Sequence, residues 1–242
     1  MAVRKAGRVV ASVAAVALLG AVVTACNDDD SDNGGTKVKE SPATSASKAP
    51  AADLAKVPAA VSGGVITVGD PKAKHTVKVY EDPRCPFCKK FEEGGAQALV
   101  RPVVAGDVKV EYTIASFLDR NLGGSGSVNA ANALRAAVDA GKFPQFHAAL
   151  FAHQPEESED GFTPAFLLKI AGKVGLRDAA FKKAVTNGTH KKWVGTAMRA
   201  FEADGITGTP TVVIDGKKVS SDGDALYDEA GFAEELKKAG VS

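Results

Sequence analysis

Cysteine is scarce in this chain: three cysteines occur among 242 residues, at positions 26, 85 and 88. So few cysteines exclude the dense disulfide network that stabilises small secreted domains. Charge of one sign is lacking as well, because 30 basic residues face 29 acidic ones and the formal net charge is +1. Without a basic excess, nothing in the composition points to a nucleic-acid partner. The hydrophobic content of 45% is that of an ordinary folded protein.

Long apolar runs are also lacking, with one exception that extends from Val9 to Val23 and follows three basic residues. This run is short for a membrane span but suits the apolar region of a secretory signal. It ends in Val23-Thr24-Ala25-Cys26, which resembles the lipobox of bacterial lipoproteins, where the cysteine is acylated on sulfur and becomes the mature N-terminus. The sequence therefore predicts a lipoprotein signal peptide over residues 1–25. Cleavage at Ala25 without lipid, or an uncleaved anchor, are the alternatives.

Residues 26–62 form a segment rich in Asp, Ser, Gly, Ala, Pro and Lys, with few large apolar residues. Such a segment cannot bury enough surface to offset the entropy lost on ordering. It is predicted to be a disordered tether between a lipid on Cys26 and a folded domain over residues 63–242. The predicted location is extracytoplasmic, at the outer face of the bacterial cell membrane.

The other two cysteines form the motif Cys85-Pro86-Phe87-Cys88, between a strand-like stretch from Thr76 to Tyr80 and a helix-like stretch from Lys89. If the helix begins near Cys85, both thiols project from its first turn, because residues three apart share a helix face. Unpaired N–H groups at a helix N-terminus favour a thiolate. Cys85 is therefore the candidate nucleophile and Cys88 the resolving thiol. By itself the motif is also compatible with half of a zinc site, or with two cysteines that are close by chance.

The remaining pattern predicts strands on either side of a helical block. A helix after the motif is interrupted by Gly94-Gly95, and Pro86 is tolerated in its first turn. A strand, this helix and a third strand would form a right-handed βαβ unit. The predicted strands are Val65–Val68, Thr76–Tyr80, Val108–Ile114, Thr211–Ile214 and Lys217–Val219, and the further helices are Val128–Ala140, Pro144–Ala152, Pro164–Val174, Arg177–Val185, Lys191–Asp204 and Asp228–Ala239.

Together these features resemble the DsbA-like thioredoxin-fold oxidoreductases. The resemblance rests on the CPFC motif after a strand, the helical block, and Gly205-Ile206-Thr207-Gly208-Thr209-Pro210 leading into the strand from Thr211. It extends from Val65 to Ala239. It implies an α/β thioredoxin fold with a helical insertion at about 117–193, between the βαβ unit and a C-terminal β-hairpin and helix.

The resemblance also implies roles for residues around the motif. The Thr209–Pro210 bond is expected to be cis and to lie against Cys85, where its backbone would pair with an extended substrate peptide. Pro86 and Phe87 would modulate the dithiol. The implied activity is thiol:disulfide exchange with exported cysteine-containing proteins, without a cofactor, and with reoxidation by a membrane redox partner. The oxidising direction is favoured over a reductant of the same fold, for instance in cytochrome maturation.

The chain departs from this pattern where a proton acceptor for Cys88 is expected. Thioredoxin-like proteins often carry a buried acid six residues before the first cysteine, and here that residue is Val79. Glu81 and Asp82 are the candidate replacements. The sequence slightly favours exposure of both side chains at a strand end.

Two other functions use the same residues. A metal-binding lipoprotein would hold its ion with Cys85 and Cys88, although His147 and His153 lie far along the chain and six residues apart, which places them on different faces of a helix. A thiol peroxidase would typically carry threonine at the position of Asp82. The aromatic and aliphatic residues from Phe143 to Phe151 are predicted to be core, and a substrate groove is the alternative.

Overall fold

A computed structural model describes residues 54–241. Six strands form one mixed sheet in the order β1-β2-β4-β3-β5-β6. The strands are β1 (Ala59–Ser62), β2 (Val65–Val68), β3 (His75–Glu81), β4 (Val108–Ile114), β5 (Thr211–Ile214) and β6 (Lys217–Lys218). Strands β3 and β4 are parallel, and the other neighbouring pairs are antiparallel.

The helices are α1 (Pro86–Glu93), α2 (Val100–Ala105), α3 (Leu118–Leu122), α4 (Gly126–Asp139), α5 (Phe143–Ala152), α6 (Pro164–Lys173), α7 (Ala179–Asn187), α8 (Lys191–Ala203) and α9 (Glu229–Lys238). A 3₁₀ segment, Gly95–Leu99, lies between α1 and α2. Helices α3 to α8 all lie between β4 and β5, so the fold is a thioredoxin-type α/β sheet interrupted by a helical block. This confirms the predicted fold class. None of the helices in the described range is long and apolar enough to cross a membrane.

The two parallel strands build the floor of the site. Along β3, buried and half-buried side chains alternate up to Lys78, and the last three residues are all buried. Strand β4 shows the same pattern. Alternation reflects a sheet packed on one face, and it ceases where the helical block covers the carboxyl ends of both strands. The predicted βαβ unit is therefore confirmed, and its helix starts at this covered edge.

The break after α1 has a packing cause. A β-carbon on Gly94 would lie 2.1 Å from the Tyr227 carbonyl oxygen, and one on Gly95 would lie 2.0 Å from the Leu226 carbonyl oxygen. Only glycine permits such a close approach of the segment that leads into α9. One turn earlier in α1, Phe91 meets Phe232 of α9 edge to face, with ring centroids 5.4 Å apart. The helix is thus fixed to the C-terminal helix at the predicted interruption.

The helices of the block bury apolar side chains among themselves, and these side chains are continuous with the hydrophobic core under the sheet. Thr163 caps α6 and Asp178 caps α7, each accepting a hydrogen bond from a backbone N–H in the first turn. Phe146 of α5 is fully buried and meets Phe181 of α7 edge to face at 5.5 Å. Phe143, Leu150 and Phe151 are buried too, which confirms the prediction that these residues are core.

Two expectations about ordered segments need correction. The predicted disordered tether includes residues that form β1, which pairs antiparallel with β2. Hydrogen bonding to β2 holds these residues in a strand. Because Val61 is the only large apolar residue among them, their side chains do not show the alternation that predicts a strand. No helix was predicted between the third strand and Val128, but α3 lies there. The signal peptide, Cys26 and the tether up to residue 53 lie outside the described residues.

Candidate active site

The CPFC motif occupies the junction between β3 and α1. Cys85 is the N-cap residue of α1, with extended backbone angles, and Pro86 follows at the first helical position. The Cys85 carbonyl accepts hydrogen bonds from the N–H groups of Cys88 at 3.1 Å and Lys89 at 3.2 Å. Proline suits this position because an N–H there would have no intrahelical partner. The predicted helix start at the first cysteine is therefore confirmed.

Both thiols are free, and their exposure differs. Cys85 is 6% exposed and Cys88 is fully buried. The Cys85 thiol donates a hydrogen bond of 3.4 Å to the carbonyl oxygen of Thr209, and the Thr209–Pro210 bond is cis, as expected. The Thr209 hydroxyl oxygen is buried without a hydrogen-bond partner in the described structure. The loop before β5 thus lies directly against the outer cysteine.

The surroundings shift the pKa values of the two thiols in opposite directions. The pKa of Cys85 is lowered to about 6, chiefly by a hydrogen bond from Cys88, and also by Thr209 and by the N–H groups of Phe87 and Cys88; burial acts against this shift. The pKa of Cys88 is raised well above its usual value by burial, by the Cys85 thiol and by the charges of Cys85 and Glu81. At neutral pH the outer thiol is therefore mainly a thiolate and the inner one keeps its proton.

Phe87 gives the motif an apolar surface. Its side chain is 57% exposed, which is unusual for a phenylalanine, and its ring contacts Tyr227 with centroids 6.1 Å apart. The Lys90 ammonium lies 4.8 Å from the centroid of the same tyrosine ring. An exposed aromatic residue beside a reactive thiol is suited to contact an apolar side chain of a peptide.

Glu81 and Asp82 are both fully buried, so the expectation that they are exposed charges at a strand end is wrong. The reason is tertiary: the helical block covers that end of β3. Asp82 accepts hydrogen bonds from the Ser127 hydroxyl at 2.6 Å, from Arg84 N at 3.0 Å and from Leu118 N at 3.1 Å. Burial raises its pKa to about 6 despite these hydrogen bonds. Both Asp82 oxygens are thus engaged in fixing the loop.

Glu81 is in a different position. Its Oε1 atom lies 2.6 Å from His147 Nε2, its Oε2 atom is buried and accepts no hydrogen bond from an N–H or hydroxyl group in the described structure, and its carboxyl shares a side-chain hydrogen bond with Glu92. Burial raises its pKa well above the usual value. The charge of Glu81 contributes to the raised pKa of Cys88, and the backbone of Asp82 is hydrogen-bonded to the same thiol.

Two further ionisable residues were not predicted from the sequence. Glu92 of α1 and His147 of α5 lie with Glu81 in one buried cluster, in which one ligand-type atom from each residue lies within 4.8 Å of the others. His147 Nδ1 lies 3.7 Å from Glu92 Oε2. The sequence does contain an indication that Glu92 lies near the site, because Glu92 follows Cys88 by four residues and so shares its helix face. It contains no such indication for His147, which comes from the helical block.

This cluster is the one group of nearby potential metal ligands found among residues 54–241, and it contains no cysteine. Two carboxylates and an imidazole are a donor set that zinc accepts. However, two ligands about 2.0 to 2.1 Å from a tetrahedral zinc would be about 3.3 Å apart. The 2.6 Å between Glu81 and His147 is instead a hydrogen-bond distance. The geometry is therefore that of a hydrogen-bonded acid cluster.

Arg84, which the sequence analysis also missed, connects the motif to the helical block. Its guanidinium is 2% exposed, pairs with Asp119 at 3.0 Å, and donates to the carbonyls of Gly123 at 2.7 Å and Glu157 at 2.9 Å. Gln154 Nε2 donates to the Cys85 carbonyl at 2.9 Å from the end of the same block. The backbone on the N-terminal side of the reactive cysteine is therefore fixed by side chains.

Comparison with known proteins agrees with this arrangement. The thioredoxin family model matches residues 62–236. The chain is 28% identical over 179 residues to disulfide bond formation protein D of Bacillus subtilis, covering 70% of this chain and 78% of that protein. It is 29% identical over 154 residues to the Na(+)/H(+) antiporter NhaA 3 of Salinispora tropica, covering 62% of this chain but only 21% of the antiporter. The chain thus spans about a fifth of that relative's length.

Among solved structures, the MdbA protein of Actinomyces oris, a thiol-disulfide oxidoreductase, is 25% identical, with a TM-score of 0.61. The match covers 78% of this chain and 95% of that protein. The agreement is one of fold and extends over nearly the whole of that protein. This chain belongs to the thioredoxin family, and it is similar in fold to thiol-disulfide oxidoreductases of known structure.

Proposed function

We propose that this protein catalyses thiol:disulfide exchange with exported cysteine-containing proteins, mainly in the oxidising direction, at the outer face of the cell membrane. The observation that carries the proposal is the asymmetry of the two thiols. A nearly buried Cys85 with a pKa of about 6 lies beside a fully buried Cys88 whose pKa is raised. One thiol is ready to act as nucleophile or leaving group, and the other is shielded from the substrate.

The proposed reaction begins with the disulfide form. A substrate thiolate attacks Cys85 Sγ, the bond between Cys85 and Cys88 breaks, and Cys88 leaves with the electron pair and takes up a proton. A second substrate thiolate then attacks the substrate sulfur of the mixed disulfide, and Cys85 leaves as a thiolate. The substrate loses two electrons and gains a disulfide, and the protein is left as a dithiol. A membrane redox partner then removes the two electrons.

Glu81 is the proposed proton donor and acceptor for Cys88. It is fully buried, its charge contributes to the raised pKa of Cys88, and its carboxyl is hydrogen-bonded only to ionisable side chains, His147 and Glu92, among the described residues. Asp82 suits this task less, because its oxygens accept hydrogen bonds from Ser127, Arg84 and Leu118. A carboxyl with a raised pKa is a matched partner for a thiol proton near neutral pH.

The proposed substrate site lies between Thr209 and Phe87. The backbone of Thr209 lies against Cys85, where an extended peptide could pair with it in strand fashion, and the exposed Phe87 ring offers an apolar contact. Pro86 fixes the first turn and so the direction of both thiols. These features suit a peptide of varied sequence that carries a cysteine.

The oxidising direction is supported by the low pKa of Cys85. A stabilised thiolate favours the reduced protein and therefore makes the disulfide a better oxidant. The pKa of the corresponding thiol is about 7 in thioredoxin, a reductant, and about 3.5 in DsbA, an oxidant. A pKa of about 6 lies between them and is the nearer to that of thioredoxin, so the reduction potential decides the direction. A reduction potential well above about −200 mV in glutathione buffers is expected for a disulfide donor, and a value near −270 mV would instead establish a reductant.

Membrane attachment through lipid on Cys26 is part of the proposal. It is supported by the basic start, the apolar run and Val23-Thr24-Ala25-Cys26. Mass spectrometry of the N-terminal peptide should find an acylated cysteine. A Cys26→Ala protein should be recovered without that acylation, and an unmodified Cys26 in the wild-type protein would refute the attachment.

The mechanism itself is tested by two serine variants of the full chain, assayed with a reduced peptide that contains two cysteines. Cys85→Ser should abolish disulfide transfer, because no nucleophile or leaving group remains at the substrate face. Cys88→Ser, given the disulfide form of the same peptide, should accumulate a mixed disulfide: the Cys85 thiolate attacks the peptide disulfide, one peptide sulfur leaves as a thiolate, and no Cys88 thiol is present to displace the peptide. Transfer by the Cys85→Ser protein at the wild-type rate would overturn the assignment.

A further inference from the structure

We propose that His147 and Glu92 extend Glu81 into a proton path, which connects Cys88 to a cavity on a side of the protein away from the substrate site. This inference rests on the proposed role of Glu81 as proton donor and acceptor. It adds two positioning residues and a route by which protons enter and leave while a substrate covers Cys85.

The path consists of short steps between three elements. Glu81 at the end of β3 is hydrogen-bonded to His147 of α5, with 2.6 Å between Oε1 and Nε2. The other imidazole nitrogen lies 3.7 Å from Oε2 of Glu92 on α1. Such a gap closes with a small rotation of either side chain or with one bridging water. Because an imidazole accepts a proton on one nitrogen and releases one from the other, His147 can pass a proton between the two carboxyls.

The path ends in a cavity of about 530 Å³, which Glu92 and His147 both line. Its other walls are mostly apolar and include Val68, Val103 and Val110. Glu92 Oε1 is buried and accepts no hydrogen bond from an N–H or hydroxyl group within residues 54–241, and the Glu92 carboxyl shares a side-chain hydrogen bond with Glu81. A buried polar atom in the wall of a cavity this large is expected to bind water. Neither Cys85 nor Thr209 lines the cavity.

The ionisable groups around the path are mainly uncharged at neutral pH, which suits the transfer of protons through a buried site. Burial raises the pKa of Glu81 and raises that of Glu92 to about 8. Burial also lowers the pKa of His147. Tyr112 of β4, whose ring lies 4.7 Å from the imidazole, keeps its proton because burial raises its pKa. At neutral pH the cluster is therefore mainly uncharged, and transfer through it does not leave a separated charge in the core.

The steps balance in both directions. When Cys88 leaves as a thiolate, Glu81 gives it a proton, His147 returns one to Glu81, and Glu92 and cavity water replace the proton on His147. During reoxidation Cys88 loses its proton to Glu81, and the same transfers run in reverse. No electrons pass through the cluster, because both electrons stay with the sulfur atoms.

The test uses the reduced full chain, mixed rapidly with oxidised glutathione and quenched with acid for mass spectrometry. The first phase forms a mixed disulfide at Cys85 and needs only its thiolate. The second phase closes the Cys85–Cys88 disulfide and needs Cys88 to lose its proton. Glu92→Gln and His147→Gln should slow the second phase at pH 7 by about tenfold or more, and change the first phase less than about twofold. Glu93→Gln is the matched control, because Glu93 also lines the cavity but lies outside the cluster.

A structural role is separated from proton transfer by chemical rescue. Glu92→Ala leaves space beside the cavity, so acetate should restore its second phase in proportion to acetate concentration, with no effect on the wild type. Thermal melts check that each variant is folded. If Glu81→Gln slows the second phase while Glu92→Gln and His147→Gln do not, the path is overturned and Glu81 keeps its role. If Glu81→Gln also reacts at the wild-type rate, the role of Glu81 is overturned as well.

Discussion

Replacing Cys88 with alanine removes the thiol whose hydrogen bond contributes most to the low pKa of Cys85. A hydrogen bond to a charged group contributes about 1.5 to 3 kcal/mol, and about 1.4 kcal/mol corresponds to one pH unit in pKa. The pKa of Cys85 should therefore rise by about one to two pH units in Cys88→Ala. The backbone N–H groups of Phe87 and Cys88 remain as donors, so the pKa should stay below that of a free thiol.

The assay is alkylation of Cys85 with iodoacetamide across a pH series, followed by mass spectrometry. At pH 6 the wild-type thiol is about half ionised, given its pKa of about 6. The variant should be about 1 to 10% ionised at this pH. Its alkylation should thus be about 5 to 50 times slower at pH 6 and should approach the wild-type rate above pH 9, because only the thiolate reacts.

Cys88→Ser is the matched control, because its hydroxyl can still donate a hydrogen bond to Cys85. Its alkylation profile should lie between those of the wild type and Cys88→Ala. Trp193, whose indole N–H donates to the Gly63 carbonyl at 2.9 Å, provides a fluorescence signal that reports whether each variant is folded. The explanation fails if Cys88→Ala, correctly folded, is half-alkylated at the same pH as the wild type. The low pKa would then arise from the helix N-terminus and Thr209 alone.

Three predictions concern stability. Arg84→Met should lower the free energy of unfolding by about 3 to 5 kcal/mol in urea titrations, because it leaves Asp119 buried without its ion pair; an unchanged midpoint would contradict this. Gly95→Ala should lower the free energy of unfolding by about 1 to 3 kcal/mol, since its β-carbon would lie 2.0 Å from the Leu226 carbonyl oxygen. Gly208→Ala is the control, because its β-carbon would meet nothing within 4 Å and the variant should unfold like the wild type. Burial raises the pKa of Glu92 to about 8. Between about pH 4.3 and pH 8 the folded state therefore keeps a proton that the unfolded state has lost. The free energy of unfolding should fall as the pH rises through this range. Glu92→Gln should reduce that fall, and identical pH profiles of stability would refute the pKa assignment.

Local patterns predicted the elements around the site because local rules govern them. Alternating apolar residues specified β3 and β4, Thr163 marked the start of α6, and Gly94-Gly95 marked the end of α1. The cis bond before Pro210 was implied by resemblance to a family and is present. Each of these features depends on a few consecutive residues, or on a motif whose surroundings are the same throughout a family.

Long-range features escaped such rules. Glu81 and Asp82 are buried because the helical block covers the end of β3. The residues next to them in the sequence do not predict this burial. Strand β1 is ordered by pairing with β2, although its own sequence is alanine-rich. Arg84 looks like an exposed basic residue until Asp119 and two loop carbonyls converge on it.

The sequence alone determined where the two reactive thiols lie and why they differ, because a cysteine at a helix N-terminus and another one turn later have different access to solvent and to N–H groups. Only the tertiary structure decided how a proton could reach the inner thiol. Glu81, Glu92 and His147 come from a strand, the first helix and the helical block. Their contact depends on how the block packs against the sheet, which no spacing along the chain encodes.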